Sequence, residues 1–533
     1  MLKKAVLGVL FVFLFSGILI AGINFDLTKA VDYSGSGTSV GGYISENTTW
    51  KLDGSPYIVI ANVIVEPYVY LTIDPGVLIK FKSGTSLILD GYLIAKGNST
   101  HMIIFTSDSV TPLPGSWSAI VFRRDVRQTL EWVGIKFAST GISVENGEIC
   151  IANSFIIQNN IGVSITGGSS VTIGNSSISH NTDNGLYVEK WLSTTVTAIV
   201  NLERVSITYN GGAGVSVGRS CIATVRQSAI TRNNGDGIQS WLGTFENCYV
   251  LNSTIAENSG HGLYQDEWSW TTWHIYGSTI AYNIGAGIYR QTDSYPIYVR
   301  NSTIKGNKNS GISGHIGGDV RYSNLYANVP YDFRNMEATD ADVLNNWWDT
   351  TNETLIQGHI YDYYDDYNLG RVLFKPFLTA PARVPDYIPP MTNIPSRTPE
   401  SDIQPDQDVR VSVNATDFES GVTNVTLSYN LNDTALWIDL PMTFNATTGL
   451  YEVIIPGQEV GTLVKYRIAA YDNAGNHRIE DNSGQYYIYT VIPEFPSILI
   501  LLLLIITTLI ATILSSKKRK PKSQPPPHQQ KPS

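Results

Sequence analysis

Cysteine is scarce: the 533 residues hold three, Cys150, Cys221 and Cys248. The number is odd and the three share no register, which leaves no disulfide framework and no zinc site. Eight scattered histidines and five methionines give a copper site little support. Charge is thin, at 15% of residues, and the net value is −10 with no long basic run before residue 517. That argues against nucleic acid as a partner. The abundant residue is glycine, 46 in all, which suits a β-rich fold with many turns. The length is too great for one compact globule and ordinary for a solenoid with a second domain.

Between Phe155 and Asn328 the chain repeats the unit Ile-x-x-Asn-x-x-x-Gly-apolar. It runs through Ile178…Asn181…Gly185-Leu186, Ile207…Asn210…Gly214-Val215 and Ile230…Asn233…Gly237-Ile238. It continues through Ile255…Asn258…Gly262-Leu263, Ile280…Asn283…Gly287-Ile288 and Ile304…Asn307…Gly311-Ile312. Successive asparagines are 29, 23, 25, 25 and 24 residues apart. Looser copies flank the series at Asn159 and Asn328. A fixed period in this range means stacked supersecondary units. No helix-length apolar pattern is present, and short alternating runs such as Val215-Ser-Val217 read as strands. Coils about 4.8 Å apart place like residues over like, so the asparagines are expected to form a hydrogen-bonded ladder. The Ile before each Asn and the apolar residue after each Gly should face inward. The Asn and Gly themselves are expected to take the left-handed conformation of a tight turn. The fold class that follows is all-β: a right-handed parallel β-helix with one repeat per coil.

The chain opens with Lys3, Lys4 and the apolar run Ala5–Ile20, read as a signal peptide over residues 1–21. From Trp50 to Ser107 come short strand-like stretches with Gly-bearing turns, taken as atypical first coils. Trp50, Ser55-Pro-Tyr-Ile-Val59 and Leu71–Phe81 resemble the N-terminal segment of many prokaryotic surface β-helix proteins. With the Asn/Gly coils they make residues 44–378 look like the right-handed β-helix repeat family, whose members include carbohydrate-binding proteins and sugar hydrolases. The resemblance is specific for fold and says little of activity. Asn345-Asn-Trp-Trp348 and the Asp/Tyr run 362–367 resemble the family's closing coils, with aromatics expected to cap the core. Prolines between Pro376 and Pro399 mark a stiff linker over 379–401. Residues 402–490 alternate as short strands, which suggests an immunoglobulin- or fibronectin-like β-sandwich. Asp417–Gly421 and Asp472–Asn476 resemble loops of such domains in archaeal surface proteins. Calcium at those loops is one reading and Asx-type turns the other.

Near the end, Pro493-Glu-Phe-Pro496 precedes the apolar run Ile498–Leu514 and the cluster Lys517-Lys-Arg-Lys520. A transmembrane helix over 497–516 with a basic, Pro-rich cytoplasmic tail over 517–533 is expected, leaving the bulk of the chain outside the plasma membrane. The order resembles an archaeal C-terminal sorting signal, whose partner would be a sortase-like membrane enzyme. The polar tail after the basic cluster departs from that pattern and favours a retained anchor. Ten sequons lie between the apolar ends, at Asn47, Asn98, Asn175, Asn252, Asn301, Asn352, Asn414, Asn424, Asn432 and Asn445. They fit an exported, glycosylated surface protein.

Function is sought on the coils. Asn181-Thr-Asp183 and Gly260-His-Gly262 resemble polygalacturonase signatures, but residues 184–259 hold no Asp pair and no Arg-Ile-Lys follows in the solenoid. Both fragments fall on the turn, where any polar residue can sit, so they read as coincidence. Register is more informative. Four residues after the turn Gly stand Glu189, Gly218, Trp241, Asp266 and Gln291; six after stand Trp191, Ser220, Gly243, Trp268 and Asp293. Trp270, Trp273, Tyr295 and Tyr298 lie just beyond. If the coils stay in register, one face interleaves indoles with carboxylates. Sugar rings offer apolar faces to indoles and hydroxyls to carboxylates, so this face would bind polysaccharide or surface-layer glycans. The competing reading is that the aromatics stack on each other and shield the loop. Hydrolysis needs two carboxylates flanking a glycosidic bond. Glu189, Asp236, Asp266, Glu267 and Asp293 are candidates, with Asp236 and His261 at one turn position on adjacent coils. No pair is singled out, and a lyase base (Lys190 or Arg219) is no better supported. The expectation is a membrane-anchored surface protein with a structural or adhesive role, and a polysaccharide lyase or hydrolase as the alternative.

Overall fold

The computed structural model describes residues 37–493, apart from 190–196, 242–246, 292–294, 315, 385, 387, 418–419, 435 and 483–485. The expected signal peptide, membrane segment and cytoplasmic tail lie outside these residues. Among the described residues no helix is long and apolar enough to cross a membrane.

Parallel strands wind into a solenoid from Thr38 to Tyr361. Each coil of the repeat has three strands. A 25-stranded sheet takes two of them and a 12-stranded sheet takes the third. One coil illustrates the pattern, with strands Ser206–Thr208, Val215–Val217 and Cys221–Arg226. Its inward residues are Ile207, Val215, Val217, Cys221, Ala223 and Val225, each at most 2% exposed. Stacking repeats this set from coil to coil: Ile178, Ile207, Ile230, Ile255, Ile280 and Ile304 form one fully buried column. No single coil could bury such a face, so stability comes from neighbours.

The asparagine ladder forms along one corner. Each Nδ2 donates to the Oδ1 of the next, from Asn159 through Asn181, Asn210, Asn233, Asn258, Asn283 and Asn307 to Asn328, at 2.8–3.1 Å. Each Oδ1 also accepts the backbone N–H of the preceding asparagine, as Asn258 does from Asn233 at 3.0 Å. The ladder ends on a carboxylate: Asn328 Nδ2 donates to Asp332 Oδ1 at 2.9 Å. Burial raises the Asp332 pKa above the ordinary carboxylate value, and the Asn328 donors oppose that shift.

The turn differs from expectation in its backbone. The left-handed residue is the one before each Asn, namely His180, Tyr209, Arg232, Glu257 and Tyr282, with φ of 55–58°. The turn glycines are needed for space instead. A Cβ on Gly262 would sit 2.5 Å from both Gly287 O and Ile280 Cγ2. A second ladder, which the sequence reading missed, runs two residues before the Ile. Ser228 N donates to Ser253 Oγ, Ser253 N to Ser278 Oγ and Ser278 N to Ser302 Oγ, at 3.1–3.2 Å. The asparagines just ahead of it, Asn175, Asn252 and Asn301, hold φ of 48–49°. Three of the ten sequons therefore fall on a recurring left-handed position of the coil, which Gln227 and Gly277 fill in other coils. None of the ten sequon asparagines is buried.

The closing coils are capped by Trp348 and Phe374, 3% and 8% exposed. The tyrosines of the same region do not share this role, since Tyr364 and Tyr367 are 65% and 82% exposed. The first compact unit comprises the chain to Thr392 together with Ala415–Asn424 and Ala470–Ile479. Within it, residues 379–392 do not stand away from the solenoid as a free spacer. Ala382 exchanges two hydrogen bonds with the side chain of Asn324 (2.7 and 3.0 Å), and Met391 Sδ accepts from Thr231 Oγ1 at 3.5 Å. Between those points the strands Thr254–Ala256 and Thr279–Ala281 are buried on both faces. Of the described residues, Asn393–Asn414, Val425–Ala469 and those from Glu480 to Pro493 form the second unit. Its four-stranded antiparallel sheet has Ser396–Thr398, Val409–Val413, Leu450–Ile455 and Thr443–Asn445 in that order.

Candidate functional site

Strand alternation decides which side chains leave the solenoid. The residues one and three after each turn Gly are inward, so the residue two after points out. Pairing brings Tyr187, Ser216, Gln239, Tyr264 and Tyr289 into one column across five coils. Register still holds at the fourth position. Gly218 N donates to Val188 O, Trp241 N to Val217 O, Asp266 N to Ser240 O and Gln291 N to Gln265 O, at 2.8–3.1 Å. Beyond that point the loops differ in length and the count fails.

The failure corrects one assignment. Trp273 belongs to the strand Thr272–Tyr276 and is fully buried, in line with Cys248 and Ile297 in the core. It cannot contact a ligand. Trp241 is half-buried and leans back over its neighbouring coil. Its Nε1 donates to Ser216 Oγ at 2.9 Å, and a Cβ on Gly218 would lie 3.2 Å from its ring. Here the shielding reading applies, since Ser216 and Gly218 are small enough to admit the indole. Trp268 and Trp270 lie at the surface, 60% and 41% exposed. Both stand on the loop between the strands Leu263–Gln265 and Thr272–Tyr276, with Glu267 exposed beside them. Asp266 Oδ1 accepts from Trp268 N at 3.0 Å and shapes that loop. Tyr295 is half-buried. Trp191 and Asp293 lie outside the described residues.

Asp236 and His261 do meet across adjacent coils. Asp236 Oδ1 accepts the backbone N–H of His261 at 2.6 Å, and His261 Nδ1 accepts the N–H of Ala286 at 2.9 Å. A ring nitrogen that accepts from a backbone donor carries no proton, so the His261 proton resides on Nε2. Burial pulls its pKa down to about 4. His261 is thus a neutral hydrogen-bond donor at ordinary pH, with no lone pair for general-base work. Burial raises the Asp236 pKa above the usual carboxylate value. The imidazole stacks on Tyr289 and Tyr264, with centroids 4.7 and 5.6 Å away. Tyr264 donates to Gln291 at 2.8 Å and Tyr187 to Glu189 at 2.6 Å, and burial raises both phenol pKa values. The tyrosines were missed on sequence because the count was taken at positions four and six. The same count at position two would have found them.

Away from the strip, the two loops read as Asx turns or calcium sites both make Asx-type bonds. Asp417 Oδ1 accepts from Ser420 N and Gly421 N, and Asp472 Oδ1 from Asn476 N. Asp386, which the sequence reading did not single out, joins them, with one oxygen of each of the three carboxylates within 4.8 Å of the others. Burial, then the nearby Asp386 charge, pushes Asp417 up to about 6.

Residues 115–255 and 192–347 match the family described as "Right handed beta helix region". Residues 404–506 match a domain of unknown function, DUF7743. No curated relative matches the sequence. The structure is similar to that of the periplasmic alginate epimerase AlgG, at 10% identity and TM-score 0.42, covering 58% of this chain and 85% of that one. A threonine-to-asparagine variant of AlgG gives TM-score 0.45 over the same shares. Likeness at this level says nothing of substrate or chemistry. The repeat, the stacked coils and the family match together make this chain a right-handed parallel β-helix repeat protein.

Proposed function

We propose that the strip from Tyr187 to Gln291 binds polysaccharide, with Trp268 and Trp270 as its apolar contacts. The observation that carries this reading is the exposure of those two indoles, 60% and 41%, on a loop shared with Asp266 and Glu267. Exposed indoles with few convergent polar groups suit sugar rings. Asp236, Gln239, His261 Nε2–H and the Tyr264–Gln291 pair supply acceptors and donors for hydroxyls on the same face. His261 offers no base, so any turnover on this strip would fall to its carboxylates, which the degradation assay reads. The role is adhesive or structural, at the outside of a membrane that the apolar segment 497–516 would hold.

Affinity electrophoresis of the full chain against a polysaccharide panel tests the reading, alongside a degradation assay and a Trp268→Ala/Trp270→Ala variant. Retardation by a polysaccharide, lost in the variant and without release of sugar, is expected. Depolymerisation by the wild type would replace binding with an enzyme.

A further inference from the structure

We infer that the polysaccharide taken by this strip is uncharged, and that polyuronates are rejected; this rests on the binding reading above. Four carboxylates occupy the face, Glu189, Asp236, Asp266 and Glu267. Against them, among the described residues between the second and fifth positions after the turn Gly, stand Arg219, half-buried, and Arg290, only 3% exposed; Arg204, Arg226, Arg232 and Arg300 sit elsewhere on the coils. Carboxylate sugars are recognised by exposed guanidinium forks, which pair with them bidentately. The strip presents acceptors where such a fork would be needed. Tyr187 donates a hydrogen bond to Glu189 Oε2 at 2.6 Å, which leaves the other carboxylate oxygen facing the strip as an acceptor. His261 stays neutral down to about pH 4, so it adds no positive charge at neutral pH.

The remaining groups match hydroxyls. Asp236 commits Oδ1 to the His261 N–H, leaving its second oxygen to accept from a ligand. His261 Nε2–H donates, and Gln239 donates to Ser216 at 2.8 Å while keeping its carbonyl oxygen as an acceptor. A sugar hydroxyl both donates and accepts and can use each of these, whereas a carboxylate only accepts and meets like charge. Uncharged sugars also keep the apolar ring faces that indoles require. Five coils about 4.8 Å apart give the strip a length of about 19 Å, enough for several rings of one chain.

The test compares polygalacturonate with its carboxyl-reduced product, which keeps the same linkages without the charge, alongside other uncharged polysaccharides. The full chain is run through each by affinity electrophoresis, in chelator, at low and high salt. The reduced polymer is expected to bind at least about tenfold tighter than its parent at low salt, with the gap closing as salt screens the repulsion. The triple variant Glu189→Gln/Asp236→Asn/Glu267→Gln should close the gap at low salt. Tighter binding of the acidic parent, weakened by salt, would overturn the charge assignment and leave the binding reading standing. Equal binding of both would do the same. Absence of retardation by every polymer would remove both together. Acidic polymer bound only once calcium replaces the chelator would also overturn the inference, by showing a cation bridging two sets of carboxylates.

Discussion

Two edges of the same coils follow different rules. At the asparagine corner the six turns from Asn181 to Asn307 share the same spacing, the same buried amide and the same glycine. At another edge, after Glu189, Gly218, Trp241, Asp266 and Gln291, the span to the next strand is longest after Glu189 and shortest after Gly218, and its side chains differ from coil to coil. The uniform corner is a stacking device, in which any departure leaves a buried donor without an acceptor. The variable edge is free to carry side chains that no neighbour requires, and function is usually placed on such loops. Trp273 and Trp268, five residues apart, mark the border: one is a core residue and the other a surface residue.

Substitutions across that border should separate the two edges. Trp273→Ala is expected to cost about 3–5 kcal/mol, seen as a lower denaturant midpoint, because it opens a cavity in a stack. Should its cost resemble that of a surface change, Trp273 is not in the core. Asn258→Ala strips the acceptor from the N–H and Nδ2 of Asn233, both buried. About 2–4 kcal/mol should be lost, and the cost should far exceed that of the same change at exposed Asn234. Gly262→Ala tests the crowding account, since its Cβ would press on Gly287 and Ile280. A loss of roughly 1–3 kcal/mol is expected, and a neutral result would mean that the coils can spread.

Trp268→Ala should leave stability within about 0.5 kcal/mol of wild type. It should weaken polysaccharide retardation by about tenfold, equivalent to about 1.4 kcal/mol. A separate effect is a pH slope. The His261 pKa is lowered from 6.5 to about 4, so the fold favours the neutral ring. Its contribution is fully present above pH 6.5 and is lost as pH falls from 6.5 towards 4. His261→Gln should flatten stability over that interval; an unchanged slope would assign the dependence elsewhere.

The strip was only partly legible in the sequence. Asp236 beside His261 and the shared register at position four both followed from counting residues, because paired strands preserve register for as long as they run. Trp273 was misassigned because the count was carried past the strand ends, where loop length resets the alternation. The column Tyr187–Tyr264–Tyr289 is written in the same register, two residues after each turn Gly. The inward lean of Trp241 depends on Ser216 and Gly218 being small in a neighbouring coil, which no single repeat reveals.

The repeat alone determined the coil, the core columns and the asparagine ladder. These depend on period and on side-chain alternation, both of which are local properties written into every copy. Tertiary structure decided which residue of the turn is left-handed, that the glycines serve space instead of φ, and which indoles remain at the surface. It also brought Ala382 onto Asn324 and Met391 onto Thr231, distant in sequence. Those outcomes are set by contacts between coils and between remote segments, as in the pairs Ser216–Trp241 and Thr231–Met391, 25 and 160 positions apart.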